Sequence, residues 1–465
     1  MASQLGFWYV QWGKYIYTAN AGNVYSVPGH VHHLSNALVL LQATPDVSME
    51  DVQDINAKVF GNDSLRAHQQ PVIMSTLTES KDIIAIFKTG SGKSLCFQLP
   101  ALLMDGVTIV VSPLNSLMED QVKALIKRGV PSLFYTSSMT DERKEAYCEE
   151  IAQDHVKILY VSPEVLLNEL DPLRISLVKA HKRGCVARIV VDEAHCAEDW
   201  GTESFRKEYS QLGKCRVFLQ GVPYSAFTAT ATPETEQALI GILEMKQPRQ
   251  FKSDDTFRGN LIISVEPKLK DDAAKAQALE FIRQQLGAQG IIYFNTRKEA
   301  EVLCNYLLEN NIKAKFFHGD CDERNRRCAQ QAYDDSEIQV MCATSAFGLG
   351  IDHAGTLWVL HYSMPMSCEA YWQEAGRAGR QKDVTKAQVR VLFSLAEYVD
   401  IQKKFPQVVN TAKGAKRLEW MKSFCANPRT CRHKMILLYF GNTIAASKLR
   451  GACGACDVCN TPTAI

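Results

Sequence analysis

The sequence has no long hydrophobic run and little of the low-complexity composition that marks fibrous or disordered chains. Its 465 residues include only 27 Gly and 16 Pro, far fewer than collagen-like or linker-rich proteins contain. No window approaches the roughly 18 apolar residues of a membrane span, and the first residues lack the basic segment and apolar core of a secretory signal. These absences predict a soluble, intracellular protein with no membrane partner.

Neither charge nor cysteine content gives an immediate functional signal. The 52 Lys and Arg nearly balance the 51 Asp and Glu, and the net charge of +1 lacks the basic excess of a typical nucleic-acid-binding domain. The 15 Cys are an odd number, crowded only near the C-terminus, which favours reduced thiols over a disulfide framework. At roughly 100 to 200 residues per domain, the length predicts two to four domains.

The hydrophobic pattern divides most of the chain into two α/β domains. Short β-branched runs alternate with longer amphipathic stretches, which is typical of parallel sheets flanked by helices. The expected strands are 82–87, 108–112, 157–161, 188–191 and 224–229, followed by 290–294, 314–318, 339–343, 357–362 and 389–392. A polar stretch at 247–256 is the expected boundary between the two domains. The first domain is therefore expected at 51–247 and the second at 248–400.

The two ends of the chain differ in character from these domains. Residues 1–50 are rich in Trp, Tyr and His without a clear period, and they are interpreted as an extension of unknown role. Residues 401–465 carry eleven Lys and Arg against two acids, a net charge of +9 that leaves −8 on the first 400 residues. The neutral total therefore conceals a basic C-terminal segment suited to the phosphates of a nucleic acid.

A phosphate-binding loop follows the first expected strand and leads into a helix-like stretch. Its residues are Lys88, Thr89, Gly90, Ser91, Gly92, Lys93 and Ser94. Gly90 and Gly92 permit a tight turn whose backbone N–H groups surround an anion, and the helix N-terminus adds a favourable dipole. Lys93 is expected to contact the terminal phosphates of a nucleotide, and Ser94 to hold Mg²⁺. If this motif stood alone, the alternative interpretation would be a Gly-rich turn that precedes a helix by chance.

An acidic motif supplies the partner that such a loop needs. The apolar run 188–191 is an expected strand, and it is followed directly by Asp192, Glu193, Ala194 and His195. These residues therefore lie at the C-terminal end of the strand, where ligands bind in open α/β sheets. Asp192 is expected to bind Mg²⁺ through water, while Glu193 positions or deprotonates the water that attacks the γ-phosphate. A solvated acidic cap is the alternative, and the preceding phosphate loop favours the catalytic interpretation.

These motifs and their order resemble those of the RecQ family of ATP-dependent DNA helicases, DEAH-type members of helicase superfamily 2. The resemblance covers about residues 60–459 and implies two RecA-like motor domains followed by a small helical zinc-binding module, with ATP, Mg²⁺ and Zn²⁺ as ligands. Residues 65–69 are similar to the family's adenine-recognition motif. The similarity implies that Gln69 hydrogen-bonds adenine and that Arg66 supports the nucleotide, while His195 completes the DEAH box.

Further motifs imply contact with single-stranded DNA. Residues 112–121 and 160–164 resemble backbone-contacting motifs, and 228–232 resembles the motif that links hydrolysis to domain movement. Trp200, Phe205 and Arg206 lie in a segment similar to the family's aromatic-rich loop, and aromatic faces stack on bases for about 1 to 3 kcal/mol each. Packing of the two aromatic side chains in a core is the alternative. Thr344 and Ser345 are implied as DNA backbone contacts.

Residues 373–380 resemble the family's motif VI almost residue for residue. The resemblance implies that Arg377 and Arg380 reach across the interdomain cleft to the γ-phosphate, where an arginine stabilises transition-state charge. Arg380 is the preferred candidate, and two arginines on a solvated helix are the alternative. Because the loop and the arginines would lie on different domains, ATP would close the cleft and hydrolysis would open it.

Four cysteines near the C-terminus have the spacing of a structural zinc site. Cys431 is followed by Cys453, Cys456 and Cys459, and four thiolates fill the tetrahedral coordination of Zn²⁺ without an open catalytic position. The family has such a module at this place. Cys425 is interpreted as a buried thiol, and a redox CxxC pair is the alternative for the last cysteines.

The combined prediction is an ATP-dependent DNA helicase or translocase acting on single-stranded and forked DNA, nuclear if the source is eukaryotic and otherwise cytoplasmic. The resemblance alone implies 3′-to-5′ movement. The sequence ends six residues after Cys459, where family members commonly continue into a winged-helix domain, so weak strand separation or a need for a partner is expected. Two alternatives stay open. The first is a catalytically impaired DNA-binding remnant, suggested in part by Lys88, which stands where the family commonly has Pro. The second is an RNA helicase of related architecture.

Overall fold

A computed structural model describes three short N-terminal strands and most of the chain from residue 47 to residue 460. The described ranges are 8–12, 15–20, 23–27, 47–88, 90–197, 207–229, 231–253, 257–347, 353, 355–381, 383–449 and 453–460. Within these ranges no helix combines the length and the hydropathy that crossing a membrane requires.

Strands and helices alternate along both halves of the described chain. The strands are β1 (Trp8–Trp12), β2 (Tyr15–Asn20), β3 (Asn23–Val27), β4 (Ile83–Ile86), β5 (Val107–Val111), β6 (Ser132–Tyr135), β7 (Ile158–Val161), β8 (Val186–Val191), β9 (Tyr224–Thr228), β10 (Arg249–Lys252), β11 (Leu261–Pro267), β12 (Gly290–Tyr293), β13 (Ala314–Phe317), β14 (Val340–Ala343), β15 (Trp358–His361) and β16 (Ala387–Phe393). The α-helices are α1 (Met49–Phe60), α2 (Gln69–Thr78), α3 (Leu95–Leu103), α4 (Asn115–Lys127), α5 (Asp141–Ala152), α6 (Pro163–Leu167), α7 (Pro172–Lys182), α8 (Pro233–Ile242), α9 (Asp271–Gln284), α10 (Arg297–Glu309), α11 (Glu323–Asp334), α12 (Cys368–Ala375), α13 (Leu395–Lys404), α14 (Pro406–Val409), α15 (Ala412–Ala426), α16 (Arg432–Tyr439), α17 (Thr443–Lys448) and α18 (Asp457–Asn460). Two 3₁₀ helices span Ala194–Ala197 and Tyr209–Val217.

Two parallel sheets form the framework of the molecule. The first has the strand order β10-β4-β9-β8-β5-β7-β6 and the second the order β11-β16-β15-β12-β14-β13. Strands such as β4, β5, β12 and β14 are buried at every residue, because helices cover both faces of each sheet. The predicted fold class, two parallel-sheet RecA-like domains followed by a helical module, is confirmed.

All ten expected strands are present, with ends that differ by at most two residues. The sequence pattern missed β6, β10 and β11, and it found no period where β1, β2 and β3 form an antiparallel sheet. β10 pairs with β4 at the edge of the first sheet. The first sheet therefore extends beyond residue 247, where the polar sequence had placed the end of the first domain.

The hydrophobic core of the second domain continues into the C-terminal helices. Leu418, Met421 and Phe424 of α15 belong to the same buried cluster as Val389 and Tyr371. The rings of Tyr371 and Phe424 lie 5.2 Å apart. A shared core of this kind makes the C-terminal module part of the second domain rather than a tethered tail.

Hydrogen bonds to strand β11 fix the module further. The Ile263 N–H donates to the Ala455 carbonyl at 3.0 Å, and the Val265 N–H donates to Asp457 Oδ2 at 3.0 Å. Buried Arg432 donates to both oxygens of the same carboxylate at 2.9 and 3.0 Å. A bidentate arginine–carboxylate pair fixes orientation as well as distance, so the module has a defined position against the second sheet.

Buried Arg188 anchors the first half of strand β8, whose far end carries the acidic motif. The residue is 2% exposed. Its Nη1 donates to the carbonyls of Lys81 and Tyr224 and to Ser225 Oγ at 3.1, 3.3 and 3.0 Å. Its Nη2 donates to carbonyls at the C-terminal end of α2 at 3.4 and 3.5 Å, where a positive charge is favourable. Burial lowers the pKa of Arg188 to about 10, so the side chain is still charged at neutral pH.

Replacement of Arg188 by Ala should lower the free energy of unfolding by about 3 kcal/mol or more, because it leaves buried carbonyls without a donor and opens a cavity. Urea denaturation followed by circular dichroism measures the loss. Arg183→Ala is the matched control, since Arg183 pairs with Asp154 on the surface and its removal should change stability little. Equal losses for both variants would contradict the anchoring role.

Candidate nucleotide-binding and zinc sites

Two glycines with positive φ shape the phosphate loop between β4 and α3. Gly90 has φ +76° and Gly92 has φ +82°, values that residues with a side chain rarely adopt. A Cβ on Gly92 would lie 2.5 Å from the side-chain nitrogen of Gln69. Lys93 and Ser94 follow at the start of α3 and are partly exposed. The loop therefore has the form that presents backbone N–H groups and a helix N-terminus to an anion.

The predicted adenine-binding residues lie against this loop. Arg66 Nη1 donates to the Gly90 carbonyl at 2.8 Å. Gln69 is buried; its Nε2 donates to the Gly92 carbonyl at 3.1 Å, and its Oε1 accepts from the Arg66 N–H at 2.8 Å. The two side chains thus support the backbone of the phosphate loop.

The acidic motif lies where β8 ends. Asp192 is 8% exposed and accepts a hydrogen bond from the Glu193 N–H at 3.0 Å. Glu193 has φ +47°, a strained value for a residue with a side chain. His195 Nδ1 lies 3.4 Å from Glu193 Oε2 and 3.0 Å from Thr228 Oγ1. The motif is thus connected through His195 to the end of β9.

The pKa of Asp192 is raised to about 7: burial is the largest cause, the negative charge of Glu193 acts in the same direction, and Lys93 and the hydrogen bond from the Glu193 N–H oppose them. A strongly shifted carboxyl group near a phosphate loop is typical of a functional site. The influence of Lys93 on Asp192 also indicates that the loop and the acidic motif are close enough to interact. The structure therefore brings these two motifs together.

The two arginines of the 373–380 motif have different environments. A Cβ on Gly90 would lie 4.0 Å from Arg380 Cδ, so Arg380 of the second domain lies against the phosphate loop of the first. Its Nε donates to the Gly376 carbonyl at 3.2 Å. Arg377 is 3% exposed and lies inside the second domain, where its charge opposes the effect of burial in raising the pKa of Tyr293. Of the two arginines, Arg380 is therefore the one seen in contact with the phosphate loop among the described residues.

Other contacts join the domains on either side of this cleft. Arg327 Nη2 on α11 lies 3.9 Å from Glu119 Oε2 on α4. A Cβ on Gly441, next to α16, would lie 2.9 Å from Pro233 Cγ at the start of α8. The second domain and its C-terminal module therefore both touch the first domain.

The predicted DNA-contacting residues of the second domain lie at the carboxyl edge of its sheet. Thr344 follows β14, its N–H donates to the Phe317 carbonyl at 3.2 Å, and Ser345 is exposed. Ser112 and Ser162 follow β5 and β7 in the first domain, and their hydroxyl groups are buried without a hydrogen-bond partner among the described residues. Three strands thus end in hydroxyl side chains at the sheet edges where ligands collect.

Four predicted site residues lie outside the described residues. These are Thr89 of the phosphate loop and Trp200, Phe205 and Arg206 of the aromatic segment. Thr230 and residues 348–352, which belong to two of the motifs, lie outside them as well.

Two residues that sequence reasoning did not single out support the nucleotide site. His68 Nε2 lies 3.1 Å from the Ser91 carbonyl, and its ring meets Phe87 edge-on at 4.8 Å. The Tyr209 hydroxyl donates to the Asp192 carbonyl at 3.2 Å. His68 lies within the adenine-like motif, which was a usable signal, whereas the position of Tyr209 depends on the folded chain.

Four cysteine sulfurs form a cluster in the C-terminal module. The Sγ atoms of Cys431, Cys453, Cys456 and Cys459 all lie within 4.8 Å of one another, and sulfurs around tetrahedral Zn²⁺ at about 2.3 Å would be about 3.8 Å apart. The Cys453 N–H donates to Cys459 Sγ and the Ala455 N–H to Cys453 Sγ, both at 3.4 Å. Donors to sulfur favour the thiolate form that binds metal, so the cluster fits Zn²⁺.

The sulfurs of the cluster are close enough to share protons. The hydrogen bond from the Cys431 thiol lowers the pKa of Cys456 to about 2, whereas the same contact raises the pKa of Cys431 and burial raises the pKa of Cys453 to about 12. Cys425 lies outside the cluster, and burial raises the pKa of its thiol to about 12. Cys425 is therefore a buried, inert thiol, as the sequence interpretation had it.

Comparisons with known proteins first define the class. Three family models match consecutive parts of the chain: DEAD/DEAH box helicase at residues 66–239, helicase conserved C-terminal domain at 274–382 and RecQ zinc-binding at 382–460. The first two define a helicase with two motor domains, and the third narrows the class.

Curated relatives identify the family. The chain is 35% identical to ATP-dependent DNA helicase RecQ of Haemophilus influenzae over 87% of this chain and 62% of that protein. It is 32% identical to ATP-dependent DNA helicase Q5 of Rattus norvegicus over 91% of this chain and 45% of that protein. The chain belongs to the RecQ family, and it spans less than two thirds of the length of these relatives.

Solved structures agree with the fold. Mycobacterium smegmatis helicase Lhr bound to single-stranded DNA has a TM-score of 0.59 at 17% identity, covering 80% of this chain and 50% of that chain. S. cerevisiae Dbp5 bound to RNA has a TM-score of 0.58 at 17% identity, covering 77% of this chain and 92% of that chain. At such low identity these structures support the two-domain fold alone.

The purified protein should contain about one Zn²⁺ per chain, because the four thiolates complete a tetrahedral site. Cys456→Ser should lose most of this zinc and become less stable to heat, since the module shares the core of the second domain. Atomic absorption and thermal denaturation measure the two effects. Cys425→Ser is the control and should retain zinc; full zinc content in Cys456→Ser would contradict the assignment.

Ionisation of Asp192 should destabilise the ligand-free protein. Its pKa is raised from 3.8 to about 7, so the folded state favours the protonated form, and stability falls as pH rises between these values. Asp192→Asn should therefore raise the free energy of unfolding at about pH 8 by about 1 to 3 kcal/mol, with a smaller gain at about pH 5. Denaturation without nucleotide or metal measures this difference.

Asp82→Asn is the matched control for this prediction. Asp82 is also buried, but it accepts hydrogen bonds from Arg216 at 2.8 Å and from the Tyr224 N–H at 2.8 Å. Its replacement should reduce stability at both pH values, because it removes a partner from a buried charge. A loss of stability in Asp192→Asn at the higher pH would refute the predicted cost of ionisation.

Proposed function

We propose that the protein is an ATP-dependent DNA helicase or translocase that couples hydrolysis in the cleft between its two domains to movement on single-stranded DNA. The observation that carries the proposal is the position of Arg380, which comes from the second domain and lies against Gly90 of the first-domain phosphate loop. A site completed by both domains responds to nucleotide through domain movement. The names of the curated relatives support DNA as the substrate.

In the proposed mechanism, the phosphate loop binds ATP. Backbone N–H groups at Gly90 and Gly92 surround the phosphates, and Lys93 neutralises their charge. Gln69 hydrogen-bonds adenine, and its Nε2 also donates to the Gly92 carbonyl of the loop at 3.1 Å. The residue that recognises the base is therefore in direct contact with the phosphate site.

The donor set fits Mg²⁺. Ser94 offers a hydroxyl group at the start of α3, and Asp192 is a carboxyl group whose pKa is raised by burial and by the neighbouring Glu193. When bound, Mg²⁺ neutralises phosphate charge and polarises the γ-phosphoryl group. Residues Ser94 and Asp192 would hold the ion, the latter through water.

Glu193 orients the attacking water and accepts its proton, and Arg380 stabilises the charge that develops on the γ-phosphoryl group. Arg377 has a different role: from its buried position near Tyr293 it supports the segment that carries Arg380. The strained φ of Glu193 is consistent with a side chain held in a catalytic position.

Hydrolysis has a structural route to the rest of the molecule. Glu193 lies near His195, which lies 3.0 Å from Thr228 at the end of β9. The next element is α8, and Pro233 at its start approaches Gly441 beside the zinc module. A change at Glu193 on loss of the γ-phosphate can therefore bias contacts between the first domain and the module.

DNA would follow the carboxyl edges of both sheets and the basic module. Thr344 and Ser345 contact the backbone from the second domain, while the aromatic segment with Trp200, Phe205 and Arg206 stacks on bases without sequence preference. Residues 401–465 have a net charge of +9, or about +7 with four thiolates and one Zn²⁺ bound, and this charge attracts phosphates. The proposal also includes movement from 3′ to 5′, action on forked DNA and, in a eukaryotic cell, location in the nucleus.

Phosphate release with and without single-stranded DNA tests this function. The wild-type protein should show DNA-stimulated ATPase activity. Lys93→Ala, Glu193→Gln and Arg380→Ala should each reduce its kcat at least about 100-fold, because each removes a group that acts on the transferring phosphate. Lys127→Ala, on the exposed end of α4, is the control and should retain activity.

Three outcomes would revise the proposal. DNA binding without turnover by the wild-type protein would favour a catalytically impaired DNA-binding remnant of a RecQ-like helicase. Stronger stimulation by RNA than by DNA in a competition assay would favour an RNA helicase. Faster displacement of a strand from a duplex with a 5′ tail than from one with a 3′ tail would overturn the direction.

A further inference from the structure

Three side chains at the carboxyl edge of the second sheet form a connected group outside the nucleotide and zinc sites. Cys321 Sγ lies 3.4 Å from His318 Nδ1. His318 Nε2 lies 2.8 Å from Glu301 Oε1 on helix α10. The His318 ring is 5% exposed and stacks on Phe316 with 5.3 Å between ring centres. The imidazole is therefore held in one orientation between a thiol and a carboxylate.

This order of groups defines the proton positions. A carboxylate only accepts hydrogen bonds, so Glu301 requires the proton of His318 on Nε2. Cys321 Sγ lies beside the ring, 3.4 Å from Nδ1 and 3.7 Å from Nε2, and Nδ1 is left as the nitrogen that can accept the thiol proton. A nucleophile beside a base that a third group orients is the arrangement by which side chains activate a thiol. We propose that Cys321 is a thiol-modification site that reacts with small disulfides and electrophiles, with His318 as its base and Glu301 as the positioning residue.

The acidic neighbours of Cys321 are already engaged. Asp320 forms an ion pair with Arg297. Asp322 accepts hydrogen bonds from the N–H and the Nδ2 of Asn325, both at 2.7 Å, at the start of α11. These contacts offset the repulsion that two nearby carboxylates would exert on a thiolate. Cys321 itself is partly exposed, so a small reagent can reach it.

The reaction balances without a further reagent. The Cys321 proton passes to His318 Nδ1, and the thiolate attacks one sulfur of a low-molecular-weight disulfide. A new sulfur–sulfur bond forms at Cys321 while the bond within the reagent breaks, and the leaving thiolate takes the proton from His318. The products are a mixed disulfide on the protein and one free thiol.

An adduct at this position would also affect the proposed function. Cys321 follows β13, and the Phe317 carbonyl at the end of that strand accepts a hydrogen bond from the N–H of Thr344 at 3.2 Å. Thr344 is one of the residues proposed to contact the DNA backbone. A glutathione-sized group on Cys321 should therefore hinder DNA, a consequence that rests on the proposed function, whereas the reactivity of the thiol does not.

The chain provides an internal control in Cys328, which is exposed on helix α11 while Cys321 is only partly exposed. Exposure alone predicts faster reaction at Cys328. The proposal predicts the reverse, by about tenfold or more, because proton transfer to a positioned base accelerates the step. The rates are measured by brief treatment of the full, zinc-loaded chain with iodoacetamide and mass spectrometry of the two peptides. A faster or equal rate at Cys328 would overturn the proposal.

Two substitutions separate the roles of the other residues. His318→Ala should remove the advantage of Cys321 without changing the rate at Cys328. Because His318 is buried and its loss could disturb the fold, Glu301→Gln provides a second variant at a side chain that is 45% exposed. Glu301→Gln should slow Cys321 several-fold and move its rate profile to higher pH, since an amide does not stabilise a protonated imidazole. Unchanged Cys321 rates in Glu301→Gln would overturn the positioning role.

Oxidised glutathione tests the modification and its consequence in one preparation. A single mixed disulfide at Cys321, absent in Cys321→Ser, supports the site; preferential reaction at other cysteines overturns it. The modified protein should then bind a single-stranded oligonucleotide several-fold more weakly, and dithiothreitol should restore binding. If modification occurs at Cys321 while DNA binding is unchanged, the thiol site stands and only its link to DNA is overturned.

Discussion

The electrostatic cost of the carboxyl group at the end of β8 is the constraint on which the nucleotide site depends. Asp192 is buried beside a second acid, and burial raises its pKa to about 7. Its ionised form needs positive charge, which Lys93 supplies only in part. In the proposed mechanism a metal–nucleotide complex brings further positive charge from the metal, and Arg380 from the other domain neutralises the phosphates. Assembly of the site and closure of the domains are then favoured by the same charges.

Closure of this kind requires a second domain that moves as a unit. The C-terminal module meets this need because it shares a hydrophobic core with the second sheet and holds β11 through Ala455 and Asp457. The zinc-type cysteine cluster fixes the loops that present these two groups. Arg380, the sheet edge at Thr344 and the basic module therefore belong to one body, so nucleotide closure can change the spacing between DNA contacts on the two domains.

Sequence patterns predicted the central strands well and the edges poorly, for physical reasons. Central strands of a parallel sheet are buried on both faces and form continuous apolar runs, whereas β10 has the mostly exposed sequence Arg-Gln-Phe-Lys and gives no such signal. Motifs led to candidate residues for the nucleotide site because the proposed chemistry needs those residue types. They favoured Arg380 over Arg377 as the arginine near the γ-phosphate, but they could not predict that Arg377 is buried, since burial depends on tertiary packing. The Cys321 group shows the same limit, because its three members are separated in sequence and only the folded sheet edge brings Glu301 near His318.

The net charge of the whole chain also conceals differences between its parts. The net charge of +1 is the sum of a basic segment of +9 and −8 on the first 400 residues. Long-range repulsion by the acidic part disfavours indiscriminate wrapping of DNA, while the basic module attracts it. In the proposed function, DNA would approach the basic module, which packs on the second domain, and the sheet edge of that domain carries both Thr344 and the proposed reactive thiol.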